Sequence, residues 1–259
     1  MPSRSPDSPR PETVAALNRF SRATPERIEA RALLQRDDTK FLLRRAELPS
    51  LLDALASNYE VVSATGDQQH EAYRTQYLDT PGLTCFHDHR RGRRPRWKVR
   101  VRQYEERHLA VLEVKTRWSQ RRVVKSRLPL DETATPLTPA QMTFVETHAR
   151  VGGAELVPGI VTRYQRATLV GRDVPERVTV DWGLELALGQ QRVRLDELAI
   201  VEVKQARYSM SSPSMHALRA RRLQPGPMSK YCTAVAMLVE NVPKNGILPT
   251  LRAIEKLAS

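Results

Sequence analysis

The sequence predicts an α+β fold in which antiparallel strands close into a barrel and helices pack outside it. Three observations lead there. Two runs of short strands with period-2 patterning, spanning about 59–127 and 160–205, flank one helical segment at 137–150. Turn signals separate the strands, as DTPG at 79–82 and RRG at 90–92 do, and closely punctuated strands of this kind indicate a barrel or sandwich rather than βαβ units. Apolar residues also recur at helical spacing, as in Leu48, Leu51, Leu52 and Leu55, giving helices with one face to bury.

Taken in order, residues 1–12 combine Ser, Pro and charge and read as a disordered tail, leaving 13–259 as one domain. Val14, Leu17 and Phe20 fall at helical spacing, and Pro25 with Glu26 marks a helix start. From Arg36 the period changes to 2, and 48–58 returns to helix. Strands are expected at 59–64, 72–79, 84–90, 95–104, 109–116 and 121–127. The Thr-Pro pair at 138–139 opens the helix over 137–150. Strands resume at 160–171, 176–182, 190–194 and 198–205, and an apolar helix over 229–241 begins at Ser229.

Charge narrows the choice of partner. The chain carries 42 Lys and Arg against 29 Asp and Glu, a net charge of +13. That balance points to an anion: nucleic acid, an acidic membrane surface or a phosphate-rich small molecule. Cys85 and Cys232 form no CxxC pair and no zinc-type cluster, so they are expected to be reduced thiols of a cytoplasmic protein. The basic, proline-rich N-terminus has no apolar segment of a secretory signal, and no apolar run approaches the ~18 residues of a membrane span.

Residues two apart on a strand share a face. In RWKVRVRQY, Arg96, Lys98, Arg100 and Arg102 share one face, and Trp97, Val99 and Val101 the other. Glu113 and Lys115 share a face in VLEVK, and Glu202 and Lys204 repeat the pair in IVEVK. Tyr164 pairs with Arg166, Arg177 with Thr179 and Asp181, and Arg36 with Asp38 and Lys40. A half-exposed sheet also turns charge to water, and any one of these strands fits that simpler description. The set fits it less well, because like charges on adjacent strands repel. Rolling them into an interior requires a polyanion and a metal to balance the charge. Glu113, Glu202 and Asp181 would offer hard oxygen ligands for Mg²⁺ or Mn²⁺.

The run YRTQYLDTPGLTCFHDHRRGRRPRWKVRVRQY, followed by LEVK, K-S-R at 125–127, Y-x-R at 164–166, R-x-T-x-D at 177–181, E-V-K at 202–204 and S-K-Y at 229–231, resembles the catalytic domain of the VTC polyphosphate polymerases. That family belongs to the CYTH-like triphosphate tunnel metalloenzymes. The resemblance covers about 30–240 and implies a closed eight-stranded antiparallel tunnel with helices outside. It also implies a nucleoside triphosphate or polyphosphate held by its phosphates, with a divalent metal. Lys40, Arg100, Arg102, Lys115, Lys125, Tyr164, Arg166, Arg177, Ser229 and Lys230 match the family's phosphate-binding positions. Glu202 matches its metal-binding Glu, and Glu113 lies in an equivalent strand setting. Within the set, Lys40, Arg100, Arg102, Lys115 and Arg166 are expected to act on the transferred phosphate. Lys125, Tyr164, Arg177, Ser229 and Lys230, with Arg36, Lys98 and Lys204 from the same strand faces, are expected to bind substrate. The chain departs from the family at Asp38, where Glu or Thr is common, and at Pro227 and Met228, where the eukaryotic polymerases carry Lys.

Other signals are weaker. His87 and His89 flank Asp88 but lack a third ligand at useful spacing. Arg90, Arg91, Arg93, Arg94 and Arg96 could form a nucleic-acid patch, yet aromatics are 5% of residues and are not interleaved with them. The expected function is metal-dependent phosphoryl transfer on ATP or inorganic polyphosphate, polymerase-like, with Mn²⁺ or Mg²⁺. An inorganic triphosphatase of the same fold and a non-catalytic polyphosphate- or nucleic-acid-binding module remain open alternatives.

Overall fold

The structure is a computed structural model that describes residues 10–33, 36–119, 122–131, 136–149 and 151–258. The expected tail at 1–12 lies mostly outside them; the first helix, α1 (Pro11–Leu17), opens at the end of that stretch. Then follow α2 (Pro25–Ala30), β1 (Asp37–Arg44), α3 (Leu48–Leu55), β2 (Tyr59–Val61), β3 (Glu71–Asp79) and α4 (Thr84–Arg90). Next come β4 (Arg96–Tyr104), β5 (Leu109–Arg117), β6 (Val123–Leu130) and α5 (Pro139–His148). The chain ends with β7 (Val157–Gly171), β8 (Glu176–Leu188), β9 (Gln191–Gln205), α6 (Pro213–Ala220), α7 (Lys230–Leu238) and α8 (Leu248–Ala258).

All nine strands belong to one antiparallel sheet, in the order β1-β9-β8-β7-β3-β4-β5-β6, with β2 paired to β7 off this path. The two strand runs read in the sequence join where β3 pairs with β7. Because β7 is 15 residues long, it pairs with β3 through 157–166 and with β2 through 169–171.

The expected closed, eight-stranded barrel is corrected in two respects. There is a ninth strand, and among the described residues no hydrogen-bonded ladder joins the end strands β1 and β6. The reason lies at the free edge of β1. Phe41 bridges to Pro225 instead, and the Lys40 carbonyl accepts from the Gly226 N–H at 2.9 Å, so the segment leading into α7 takes the pairing β6 would need. Pro129 on β6 has no N–H to offer a further partner. The sheet nevertheless rolls: Lys40 of β1 and Lys98 of β4 both reach the start of α7, at the Met228 carbonyl (2.6 Å) and the Ser229 hydroxyl (2.8 Å).

Helices cover the outside. Leu17, Leu48, Leu51, Leu52 and Met215 of α1, α3 and α6 pack on Phe41, Leu43, Val178, Val180, Val201 and Val203. On the other half, Phe86, Val145 and Val235 from α4, α5 and α7 share a core with Val99, Leu112 and Val114. Most strands therefore bury apolar residues outward under the helices and turn charged residues inside; β3 differs, with Tyr73 and Thr75 on the inner face and Arg74 bonding Gln103 on the other. Among the described residues no helix is long and apolar enough to cross a membrane.

Two element expectations change. Residues 84–90 form α4, not a strand. The Asp79 carboxylate accepts from the Cys85 and Phe86 N–H groups at 2.8 and 3.1 Å, and Thr80 Oγ1 from that of Thr84 at 3.0 Å, which satisfies the donors of a helix start. The strands expected at 190–194 and 198–205 are one strand, β9. Its partner β8 absorbs the change of direction in a bulge between Trp182 and Leu184, where Gly183 takes φ +62°.

Candidate active site

The interior is built from alternating positions of eight strands and the start of α7. From β4 come Lys98, Arg100 and Arg102, paired in register with Lys115, Glu113 and Val111 of β5. Lys115 and Glu113 in turn face Lys125 and Arg127 of β6. Across the sheet, Arg166 of β7 pairs with Asp181 of β8, Thr179 with Glu202 of β9, and Glu202 with Lys40 of β1. Each expected site residue lies on or beside this interior. Arg36 sits at its rim, bonding Asp38 at 2.9 Å.

The carboxylates are shared among several cations. Glu113, 1% exposed, contacts Arg100 at 2.6 Å, Arg127 at 3.2 Å, Arg102 at 3.6 Å, and Lys125. Asp181, 3% exposed, accepts Arg166 bidentately at 2.5 and 2.7 Å and also Lys230. Glu202 meets Lys204 at 2.7 Å and Lys40 at 3.7 Å. Burial alone would favour the neutral acids, but the clustered cations outweigh it and hold all three well below the usual carboxylate range.

One carboxylate cannot compensate four cations, and the lysines record the shortfall. Burial, with Arg100 beside it, pushes Lys125 down to about 7 despite its contact with Glu113. Burial and Lys40 push Lys115 down to about 8. Lys98 is lowered mainly by burial, and its partners are the Ser229 hydroxyl at 2.8 Å and the Cys232 thiol, neither an anion. Arg177 is lowered mainly by burial, with Arg166, Arg36 and Arg127 near it. Among the described residues, neither Lys115 nor Arg177 makes an ion pair.

The helix α7 closes one side of this interior. Ser229 is its N-cap and accepts from the Cys232 N–H at 3.3 Å, while Lys230 reaches Asp181 and the Tyr164 ring, 4.2 Å from its centroid. The Met228 carbonyl accepts from Lys40 at 2.6 Å. Tyr231 donates to Asp79, tying α7 to the start of α4. His89 at the end of α4 is held neutral, pushed down to about 2 by burial and by Lys98, Arg96, Lys40 and Arg117. Arg91, Arg93 and Arg94 stand exposed in the following loop.

Sequence reasoning missed part of the set. Tyr73 stacks on Tyr164 at 5.3 Å, with the Arg102 and Arg166 guanidiniums each 5.2 Å from its ring. Thr75 accepts from Arg102 at 3.2 Å. The period-2 face of YRTQY, carrying Tyr73, Thr75 and Tyr77, was the available signal.

One family model matches the chain, that of the VTC domain, over residues 35–239, more than half its length. The chain belongs to the VTC domain family. The matched span runs from the approach to β1 through the end of α7, so it contains the whole charged interior of the VTC domain and excludes α1, α2 and α8. Family and rolled, basic sheet together make this a triphosphate-tunnel fold. Solved structures with detectable likeness include a conserved hypothetical protein from Pyrococcus furiosus, 15% identical over 72% of this chain and 88% of that one, TM-score 0.40. Another is HpAC1 from Hippeastrum, for which a dominant triphosphatase activity is described, 16% identical over 79% and 98%, TM-score 0.43. A third is the S. pombe RNA triphosphatase Pct1 in complex with the Spt5 CTD, 8% identical over 95% and 94%, TM-score 0.25. A search of curated proteins gives no match.

Of the three interior carboxylates described, Glu202 is the one with room for a divalent metal. Glu113 and Asp181 have both oxygens engaged by cations, so in this structure each stands as a counterion to its neighbours, and Glu113, expected as a metal ligand, offers no oxygen free of a cation. Glu202 is more open, its side chain 18% exposed, with Lys204 at 2.7 Å from Oε2 and Lys40 at 3.7 Å from Oε1. Among the described residues no group of three His, Cys, Asp or Glu comes together as an all-protein site. Mg²⁺-type ions are commonly held by one carboxylate plus substrate phosphates, and Glu202 suits that arrangement.

Proposed function

We propose that the interior of this VTC domain binds a triphosphate or polyphosphate chain and transfers its terminal phosphoryl group to lengthen a polyphosphate. The observation that carries the reading is the under-compensated charge: Lys115, Lys98 and Arg177 face inward with no ion pair among the described residues, though Asp38 and Glu202 lie near Lys115, and they stand beside Arg100, Arg102 and Arg166. Keeping buried cations unpaired is costly, and a phosphate chain supplies the missing anion. Arg100, Arg102 and Arg166 offer planar donors for non-bridging oxygens, and Lys40, Lys115, Lys125, Lys204 and Lys230 act as point charges. Lys98 with Ser229, Tyr164, Arg177 and rim Arg36 extend the contacts along the chain.

In this reaction an oxygen of the acceptor phosphate attacks the terminal phosphorus. A new P–O bond forms, the bridging P–O bond breaks, and the nucleoside diphosphate leaves with the electron pair. Such transfer asks the protein mainly for in-line positioning and charge neutralisation. A metal at Glu202, when bound, would neutralise charge on the transferred group. The chain's own contribution is to orient the phosphates and keep them out of bulk water. Water in place of the acceptor turns the same site into a triphosphatase, the second reading. Purified protein incubated with ATP and Mn²⁺ and assayed for long-chain polyphosphate and for free phosphate tests both. Polyphosphate supports the polymerase reading, free phosphate alone the hydrolase, and neither product with retained tripolyphosphate binding a non-catalytic module.

A further inference from the structure

We propose that Tyr73 is a positioning residue of the phosphate site, its ring holding the Arg102 and Arg166 guanidiniums in place where its own strand supplies no carboxylate to do so. The inference rests on the triphosphate reading above and adds to it a neutral residue. Tyr73 sits on β3 between β4 and β7, opposite Tyr104 on one side and Tyr164 on the other, and is 9% exposed. Diagonal to it stand Arg102, paired in register with Thr75, and Arg166, paired in register with Glu71. Both guanidinium carbons lie 5.2 Å from the centre of the Tyr73 ring, so one ring serves two cations from the strands on either side of β3. Tyr164 stacks on that ring at 5.3 Å and 10°, and itself meets Arg166 at 5.3 Å and Lys230 at 4.2 Å.

The composition of β3 explains why a ring is used. Its two carboxylates stand at its ends and are spent elsewhere: Glu71 on Arg107 at 2.7 Å, and Asp79 on the N–H groups that open α4 and on Tyr231. The inner face between them carries Tyr73, Thr75 and Tyr77, none of them charged. Burial pushes the Tyr73 phenol up, so it stays protonated. An aromatic face attracts a cation through its quadrupole, and the attraction grows as water is excluded. It meets the flat of a guanidinium and takes none of its N–H donors, whereas a carboxylate takes up to two. Arg166 already gives Nε and a terminal nitrogen to Asp181. Arg102 is held by neutral groups besides the ring, donating to Thr75 at 3.2 Å and to the Tyr164 hydroxyl at 3.1 Å, with Glu113 further off at 3.6 Å. The ring therefore holds two like charges near each other without adding an anion that would compete with phosphate.

The test measures tripolyphosphate binding in Mg²⁺ by calorimetry on the full chain. Tyr73→Leu and Tyr73→Met keep apolar bulk and remove the ring, whereas Tyr73→Phe keeps the ring. Both aliphatic variants should bind about tenfold more weakly, the size expected of two partly desolvated cation–π contacts, and Tyr73→Phe should bind within about twofold of the wild type. In an Arg102→Ala background, where one of the two contacts is already gone, Tyr73→Leu should cost only about threefold. A residue that merely supports the fold would cost the same in both backgrounds. Unchanged affinity in both aliphatic variants, a full tenfold loss persisting beside Arg102→Ala, or failure of both aliphatic variants to fold would each overturn the positioning role while leaving the triphosphate reading in place. If the wild-type protein does not bind tripolyphosphate, that reading itself fails, and the role of Tyr73 with it.

Discussion

Replacing Glu113 by Gln separates the counterion role seen in the structure from the metal role expected of it. The substitution keeps shape and removes one charge from the centre of Arg100, Arg102, Lys125 and Arg127. Breaking a buried ion pair from one side costs about 3–5 kcal/mol, because the remaining charge stays buried. Glu113 is 1% exposed, and Arg100 owes its raised basicity, against burial, chiefly to this carboxylate, so the full range applies. For a chain of this size, with about 2–4 °C per kcal/mol, the melting temperature should fall by roughly 6–20 °C. Millimolar tripolyphosphate should then narrow the gap between variant and wild type, since the ligand restores negative charge among the same cations. Differential scanning fluorimetry with and without ligand measures both effects. An unchanged melting temperature together with weakened Mn²⁺ binding would refute the counterion assignment and restore the metal one. A large loss of stability that tripolyphosphate does not relieve would show that the anion binds elsewhere.

Three further outcomes are expected. Glu202→Gln should abolish metal-dependent turnover while leaving the fold intact, and full turnover of that variant at saturating Mn²⁺ would rule out a metal role for Glu202. Arg100→Ala with Arg102→Ala should remove tripolyphosphate binding, each losing a charge-assisted contact of about 1.5–3 kcal/mol; replacing Arg90, Arg91, Arg93 and Arg94 should mainly slow capture and flatten the salt dependence. Titrations with tripolyphosphate and a short single-stranded DNA check this, and a nucleic-acid surface would give the opposite pattern. The ligand-free chain should also grow more stable as pH rises from 6.5 to 8.5 at low salt. Lys125 and Lys115 are pushed down to about 7 and about 8, whereas in the unfolded chain they titrate near ~10.4, so in this window the unfolded state holds protons the folded state has shed. Bound tripolyphosphate should keep both ammonium groups charged and flatten the slope; a melting temperature that falls over this range in the free protein would contradict the burial of uncompensated lysines.

Much of this was legible in the sequence because strand alternation is a local property of the backbone. Arg100 with Arg102, Glu113 with Lys115 and Glu202 with Lys204 share faces whatever the rest of the chain does, and the structure turns those faces inward. The apolar stripe of Leu48, Leu51, Leu52 and Leu55 likewise stated its own burial in α3. Helix α4 was misread because its start is capped by Asp79, a side chain five residues before the helix, which period counting cannot see. The open seam was invisible because Gly226, more than 180 residues from Lys40, occupies the edge where a barrel would close.

The sequence by itself determined which residues could meet a polyanion, since period 2 and net charge follow from bonding geometry and composition. Only the tertiary structure decided which of them remain available to it. Glu113 and Asp181 are spent on neighbouring cations from β4, β6, β7 and α7, while Lys115 and Arg177 are left without an ion pair among the described residues. Counterions are assigned by distances of a few ångströms between strands far apart in the chain. Coulomb energy depends on those distances and on burial, neither of which a single strand's pattern contains.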